Sequence, residues 1–229
     1  MKTIGIIPCR MASTRYPGKP LEKMNGIPMV GHIYMRSKLA ENLDALYVAT
    51  CDKEIFEYVE SIGGKAIMTA NTHERATERV GEAVEILARE TGETYDIVVM
   101  IQGDEPLIHP ETLDSMIAPF SDSTIQTVNL TNHIEKLEEY DNKNIVKLIY
   151  NQQGHIMWFF RNANPFWKEK VDSLPIDIQT GIIAFRRESL ERFNALASTP
   201  LEKANSVDMF RFLEHGYPIH AISSSRRLF

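Results

Sequence analysis

Along the first hundred residues, short apolar β-branched runs alternate with longer stretches of helical period. Residues 3–8, 46–50 and 97–101 read as strands, with a shorter one at 66–68 between the last two. Met29, Ile33, Arg36 and Leu39 share one helical face within 29–39. The same period runs through 54–62 and through 80–90, the latter by Val80, Val84 and Leu87. Strand and helix in alternation predict an α/β fold whose mostly parallel, doubly wound sheet is covered on both faces.

Beyond residue 120 the order changes. Residues 125–130, 145–150 and 155–160 read as strands, and a turn at 151–154 joins the last two into a hairpin. That pattern predicts a small antiparallel insertion, serving as a lid or for dimerisation, over about 125–180. A strand at 182–185, a helix over 202–215 stopped by Gly216 and Pro218, and a strand at 219–222 complete the chain. No repeat, low-complexity tract or linker interrupts it, so residues 1–229 are expected to form one domain.

Composition removes several function classes. The 229 residues carry a formal charge of −6, which excludes an overall basic field for nucleic acid but leaves room for a local cationic pocket. Cys9 and Cys51 form neither a disulfide framework nor a metal-binding spacing, which fits a reducing compartment. The seven histidines show no zinc spacing, and no Ser-His-Asp or Cys-His arrangement can be argued from spacing. No apolar run approaches the roughly 20 residues that span a bilayer, and the N-terminal run is too short for an export signal. A cytoplasmic protein with no membrane partner is expected.

Candidate chemistry lies after two of the strands. In a doubly wound sheet, ligands sit beyond the carboxyl ends of the strands. The loop CRMASTRYPGKPL follows the first strand and offers Arg10, Arg15 and Lys19, the hydroxyls of Ser13 and Thr14, and Gly18 beside Pro17. A triphosphate needs several cations and backbone N–H donors converging on its oxygens, and this loop can supply both. It is neither a Walker A loop nor a GxGxxG fingerprint. The second element, QGDEP at 102–106, follows the apolar run 97–101. A carboxylate there suits Mg²⁺, which takes one or two protein carboxylates together with phosphate oxygens and water. Asp104 is the expected ligand, with Gly103 allowing the backbone to turn it into the cleft. The plain alternatives are a solvated basic turn and a strand-ending turn capped by Asp104. The two elements together favour a nucleotide site.

PCRMASTRYPGKPL and QGDEP, with Thr77, Glu78 and Arg79 between them, resemble the sugar-activating cytidylyltransferases and, most closely, the 3-deoxy-manno-octulosonate cytidylyltransferase family. The resemblance covers nearly the whole chain, since VATCDKEI, GGKAIMT, NIVKLIYNQQGHIMWFFRNANPF and PLEKANSVDMFRFLEHG follow in family order. It implies a Rossmann-like fold of the nucleotide-diphospho-sugar transferase type. It also implies transfer of CMP from CTP to an acidic sugar in lipopolysaccharide precursor synthesis, release of pyrophosphate, a Mg²⁺ cofactor and a homodimer. Residue by residue, it gives Arg10 and Lys19 the triphosphate and the departing pyrophosphate, with Ser13 and Arg15 also at the nucleotide. Arg79 lies in a segment resembling the family's Ser-Gly-Thr-Glu-Arg and contacts the nucleotide with Gln102. Asp104 holds the metal. Arg161, Gln179 and Asp208 fall at acceptor positions.

The chain departs from the family pattern in three places. Gln179 stands where the family has histidine, and Asp208 and Met209 stand where it has a Glu-Gln pair. The family's Val-Asp-Thr-Pro-Glu-Asp stretch, whose first Asp is a second metal ligand, is not among these residues. Two further readings therefore stay open: a nucleotidyltransferase acting on another acceptor, such as a nonulosonate or a phosphonate, and a catalytically silent relative that binds nucleotide.

Overall fold

The computed structural model describes residues 1–12, 16–224 and 226–227. Strand β1 (Thr3–Cys9) is buried at every position, as a central strand covered on both faces must be. After the loop carrying Lys19, a two-residue ribbon of β2 (Lys23–Met24) and β3 (Ile27–Pro28) leads into α1 (Met29–Ser37). Then β4 (Ala45–Thr50), α2 (Lys53–Ser61), β5 (Ala66–Met68), α3 (Ala76–Thr91) and the fully buried β6 (Ile97–Met100) follow in the predicted alternation. β1 pairs in parallel with β4 on one side and with β6 on the other, and β5 extends the sheet beyond β4.

The second half adds α4 (Pro110–Ile117), β7 (Thr127–His133), α5 (Leu137–Asp141), β8 (Lys147–Tyr150), β9 (Ile156–Phe160) and β10 (Ile176–Arg186). It closes with α6 (Arg187–Ala195), α7 (Pro200–Asn205), α8 (Phe210–Glu214) and β11 (His220–Ser223). The sheet order is β5-β4-β1-β6-β10-β7-β11, with β8 pairing to β10 and β9 to β8. β10 runs antiparallel to β6, β7 and β8. β7 and β10 therefore belong to the main sheet, and the antiparallel part that stands off it is the β8–β9 hairpin. A small cluster of Tyr140, Val171 and Ile176, with Phe160 and Trp167 against it, packs beside that hairpin.

Two cores lie on opposite faces of the sheet. One joins Val30 and Ile33 of α1, Ile55 and Val59 of α2, and Leu113 and Met116 of α4 to Ile7, Val48 and Val99. The other joins Val80 and Val84 of α3, Leu190 and Phe193 of α6, and Phe210 of α8 to Ile4, Ile6 and Phe185. Each such side chain contributes roughly 1.5–3 kcal/mol by leaving water. Most of the stability therefore lies away from the loops that carry the chemistry.

Two expectations are corrected. The strand expected at 182–185 begins at Ile176, because its pairing with β7 shifts register between Gln179 and Ile183 and hides the first half from a simple alternation. The helix expected over 202–215 is two helices. Ser206 adopts a left-handed conformation at φ 51° that ends α7, and α8 starts only at Phe210.

Candidate functional site

β4 and β5 lie on one side of β1 and β6 on the other, so the strand order reverses between β1 and β6. Loops leaving such a switch point diverge and open a crevice at the carboxyl ends of the strands. Arg10 follows β1 directly, and Gln102 and Asp104 follow β6. Both sets line a cleft of about 270 Å³ with Lys19 and with His73, Arg75 and Arg79 from the start of α3 and the loop before it. Four cations (Arg10, Lys19, Arg75, Arg79) face two carboxylates (Glu74, Asp104) there. An acidic chain has thus built the local cationic pocket that its first loop predicted.

Each side chain is held by its neighbours. Lys19 Nζ lies 3.2 Å from Asp104 Oδ2, with both side chains more than a third exposed. Arg10 donates to the His73 carbonyl at 3.2 Å, and the Met11 N–H donates to Asp52 at 2.8 Å. The loop before α3 is fixed by Glu82, which accepts from the Ala70 N–H at 2.8 Å and lies 2.6 Å from His73 Nε2. Glu78 reaches back to the N–H groups of Glu74 and Arg75, both at 3.1 Å, so the N-terminus of α3 is fixed toward the cleft. Arg79 is buried; its Nη1 bonds Thr69 Oγ1 and the Ala70 carbonyl. Its Nη2 is buried and has no hydrogen-bond partner among the described residues, an unmet donor in a side chain that lines the cleft.

Gly103 serves close packing rather than a left-handed turn. A Cβ there would lie 2.7 Å from both Cys9 Sγ and the Pro8 carbonyl oxygen, and its φ is not positive. That contact seats the 102–105 turn on the end of β1. Burial pushes the Cys9 thiol up to about 12, aided by the nearby Asp104 charge, so it stays protonated and is no nucleophile. Burial, then the Asp104 charge, also raises Glu105 to about 7, against the opposing pull of Lys19. Among the described residues no three His, Cys, Asp or Glu side chains gather as a metal cage. The exposed Asp104 carboxylate fits a hard cation that arrives already coordinated by phosphate oxygens.

A second cleft of about 220 Å³ adjoins the first, and Ala76 and Gln102 line both. Its wall includes Gln179, Thr180, Ser206, Asp208 and Met209. Gly181 is required here, because a Cβ on it would fall within the Gln102 side chain. Gln179 donates to Asn129 Oδ1 at 2.9 Å. Asp208 forms an ion pair with Arg75, whose Nη1 lies 3.0 Å from it, and accepts from Thr77 Oγ1 at 3.4 Å.

Of the residues predicted from sequence, Arg10, Lys19, Arg79, Gln102 and Asp104 meet in the first cleft, and Gln179 and Asp208 in the second. Arg161 lines neither. Its Nε donates to the Asn205 carbonyl at 2.8 Å and its Nη1 to the Asn144 and Lys143 carbonyls at 3.2 and 3.3 Å. Ser13 and Arg15 lie outside the described residues. Arg75, Glu78, His73 and Glu82 were not predicted. Glu78 lies in the segment already quoted with Thr77 and Arg79, but no spacing marks any of the four as a site residue, and only the fold brings the loop after β5 against the ends of β1 and β6. The fold also assembles Ser223, His133 and Asp177 in hydrogen-bond order, at 3.2 and 2.8 Å. None of the three lines either cleft. With Thr131 donating to it at 2.6 Å, this cluster satisfies the buried Asp177 carboxylate.

A Rossmann-like sheet with a cationic cleft at its switch point and an adjoining polar cleft suits a nucleotidyltransferase. The cytidylyltransferase family model matches residues 4–221. The 3-deoxy-manno-octulosonate cytidylyltransferase of Geobacter metallireducens is 36% identical over 98% of this chain and 91% of its own. That of Parabacteroides distasonis is 38% identical over 96% of this chain and 88% of its own. A solved CMP:2-keto-3-deoxy-manno-octonic acid synthetase in complex with CTP superposes with a TM-score of 0.87 at 30% identity, covering 98% of this chain and 90% of that one. The chain belongs to the 3-deoxy-manno-octulosonate cytidylyltransferase family. Among its described residues, no helix is long and apolar enough to cross a membrane.

Proposed function

We propose that this chain transfers CMP from CTP to 3-deoxy-manno-octulosonate with release of pyrophosphate. The observation that carries this reading is the pair of adjoining clefts at the switch point, one cationic and one polar, sharing Gln102 and Ala76. The triphosphate lies on Arg10, Lys19, Arg79 and the N-terminus of α3, where charge and dipole favour anions. The sugar acid occupies the second cleft beside Gln179 and Asp208. Its anomeric hydroxyl attacks the α-phosphorus in line: one P–O bond forms, the bond to pyrophosphate breaks, and the hydroxyl proton passes to water. The buried Cys9 takes no covalent part. Arg10 and Lys19 stabilise the charge that builds on the departing pyrophosphate. Asp104 is the residue that would hold Mg²⁺, whose chemistry when bound is to neutralise phosphate charge and polarise the α-phosphate.

The test is pyrophosphate release from CTP with Mg²⁺, with and without 3-deoxy-manno-octulosonate. Release is expected only when both substrates are present, and chelation by EDTA should abolish it. CTP binding without release, followed by turnover with a nonulosonate or a phosphonate, would replace the acceptor. Gln179 and Met209 are what favour that second reading. Met209 is packed in the core at this cleft, where the family pattern has an amide.

The chain also works in this reading as a homodimer. Among the described residues β9 is an edge strand whose partner strand is β8, and it exposes Met157 and Trp158 with Phe166 nearby in sequence. Sedimentation equilibrium is expected to give twice the 26.1 kDa chain mass. A monomer at micromolar concentration would contradict this.

A further inference from the structure

The proposed acceptor carries a carboxylate beside the attacking hydroxyl, and a buried carboxylate needs a cation or several donors. Among the described residues lining the second cleft there is no lysine or arginine. The nearby cations are mostly engaged. Lys147 is fully buried and donates to the carbonyls of Asn142, Ile145 and Arg161 at 2.8, 2.9 and 2.5 Å. Arg161 is tied to three carbonyls. Arg211 is buried in a fork on Glu202, with contacts of 2.9 and 2.6 Å.

Arg75 is placed differently. It precedes Ala76, the residue shared by both clefts, and itself lines the nucleotide cleft. Its Nη1 contacts Asp208, a wall residue of the second cleft, at 3.0 Å, and its Nε lies 3.9 Å from Glu202. The side chain is 28% exposed. Among the described residues its Nη2 meets no polar partner, so the fork retains donors at the seam. In the segment resembling Ser-Gly-Thr-Glu-Arg, this chain reads Arg75-Ala76-Thr77-Glu78-Arg79. The first position thus adds a cation where the pattern has a hydroxyl, beside the other acceptor-side departures at Gln179 and Met209.

We propose that Arg75, held at the seam between the clefts by Asp208, binds the carboxylate of the acceptor and determines specificity for acidic acceptors. Asp208 orients the guanidinium, and an acceptor carboxylate shares or displaces that ion pair. This inference rests on the cytidylyl-transfer reading above. An arginine fork suits a planar carboxylate and is not replaced by lysine without loss.

The experiment compares wild type, Arg75→Gln and Arg75→Lys in steady-state pyrophosphate release. The acceptors are the octulosonate and its neutral methyl ester, followed by a nonulosonate and a phosphonate. CTP affinity is measured separately by calorimetry, and thermal melting reports folding. Arg75→Gln is expected to raise the KM for the acid roughly 10- to 100-fold, the range given by loss of a charged hydrogen bond. It should leave CTP affinity within about twofold and erase the preference for acid over ester, and Arg75→Lys should fall between. An unchanged KM for the acid overturns the proposal, and so does an equal loss of CTP affinity, which would place Arg75 on the triphosphate. If the wild type turns over none of the acceptors, the reaction itself is misassigned and the proposal falls with it. That failure is visible in the wild type alone.

Discussion

Replacing Lys19 by alanine is expected to slow cytidylyl transfer about 10²- to 10³-fold, the usual effect of removing one fixed donor aimed at developing charge. Lys19 lines the cationic cleft on the loop that follows β1, and its Nζ already faces Asp104 across 3.2 Å. In the free protein this is a part-exposed ion pair, worth about 0–1 kcal/mol. The melting temperature should therefore move by no more than about 2–4 °C for a chain of this size. The loss belongs in the rate constant at saturating CTP, because the charge Lys19 meets grows as pyrophosphate departs. Steady-state kinetics beside a thermal melt separate the cases. A weaker KM for CTP with an unchanged saturating rate would mean uniform binding of ground and transition states, and would sink the catalytic assignment.

The cationic cleft was legible from sequence because its parts are local. Arg10 and Lys19 sit in one loop, Gln102 and Asp104 in another, and each follows an apolar run whose carboxyl end could be recognised. The first four strands of the main sheet, β1, β4, β5 and β6, were legible for the same reason. The second cleft is assembled from segments far apart in the chain, with Ala76, Gln179 and Asp208 converging only through the sheet order. Arg75 is marked in the sequence only by standing where the resembled Ser-Gly-Thr-Glu-Arg has serine, and its meaning comes from contact with Asp208 across 133 residues. Among the helices, α6 starts directly from Arg186 at the end of β10 with no turn residue between them, so no boundary signal exists. α4 spans only eight residues and begins at Pro110, shortly after Pro106, a stretch that reads as loop. The break at Ser206 is a backbone event that helical periodicity does not record.

Breaking the Glu202–Arg211 pair is expected to cost the largest stability of any single substitution near the site. Both side chains are almost fully buried, and the guanidinium fork contacts the carboxylate at 2.6 and 2.9 Å. Arg211 also donates to the Phe193 and Leu196 carbonyls at 3.3 and 3.4 Å, and Glu202 accepts from the Thr199 N–H at 3.1 Å. The pair therefore binds α6, α7 and α8 into one unit and holds the 206–209 turn that carries Asp208. Arg211→Met removes the fork from a buried carboxylate, leaving only the Thr199 N–H and the distant Arg75, and should cost about 3–5 kcal/mol, on the order of 6–20 °C in Tm. Restoring balance with Glu202→Leu in the same chain should recover most of that loss, because a well-packed apolar pair is often neutral. The pH dependence has a definite sign. Burial works to raise the Glu202 carboxyl, but the Arg211 fork and the Thr199 N–H outweigh it and hold the group below the usual carboxylate range. A carboxyl lowered by folding contributes stability above its unfolded pKa of about 4.3 and loses it as the pH falls through the folded value. Wild type should thus lose this contribution in acid below about pH 4, while the double variant should show a flatter acid limb in thermal melts across pH 2–7. Equal acid limbs in the two proteins would show that other carboxylates govern acid unfolding. Because Asp208 rides on the same unit and pairs with Arg75, Arg211→Met should also weaken the acceptor more than CTP. Equal weakening of both would mean that the three helices do not act on the acceptor cleft as one piece.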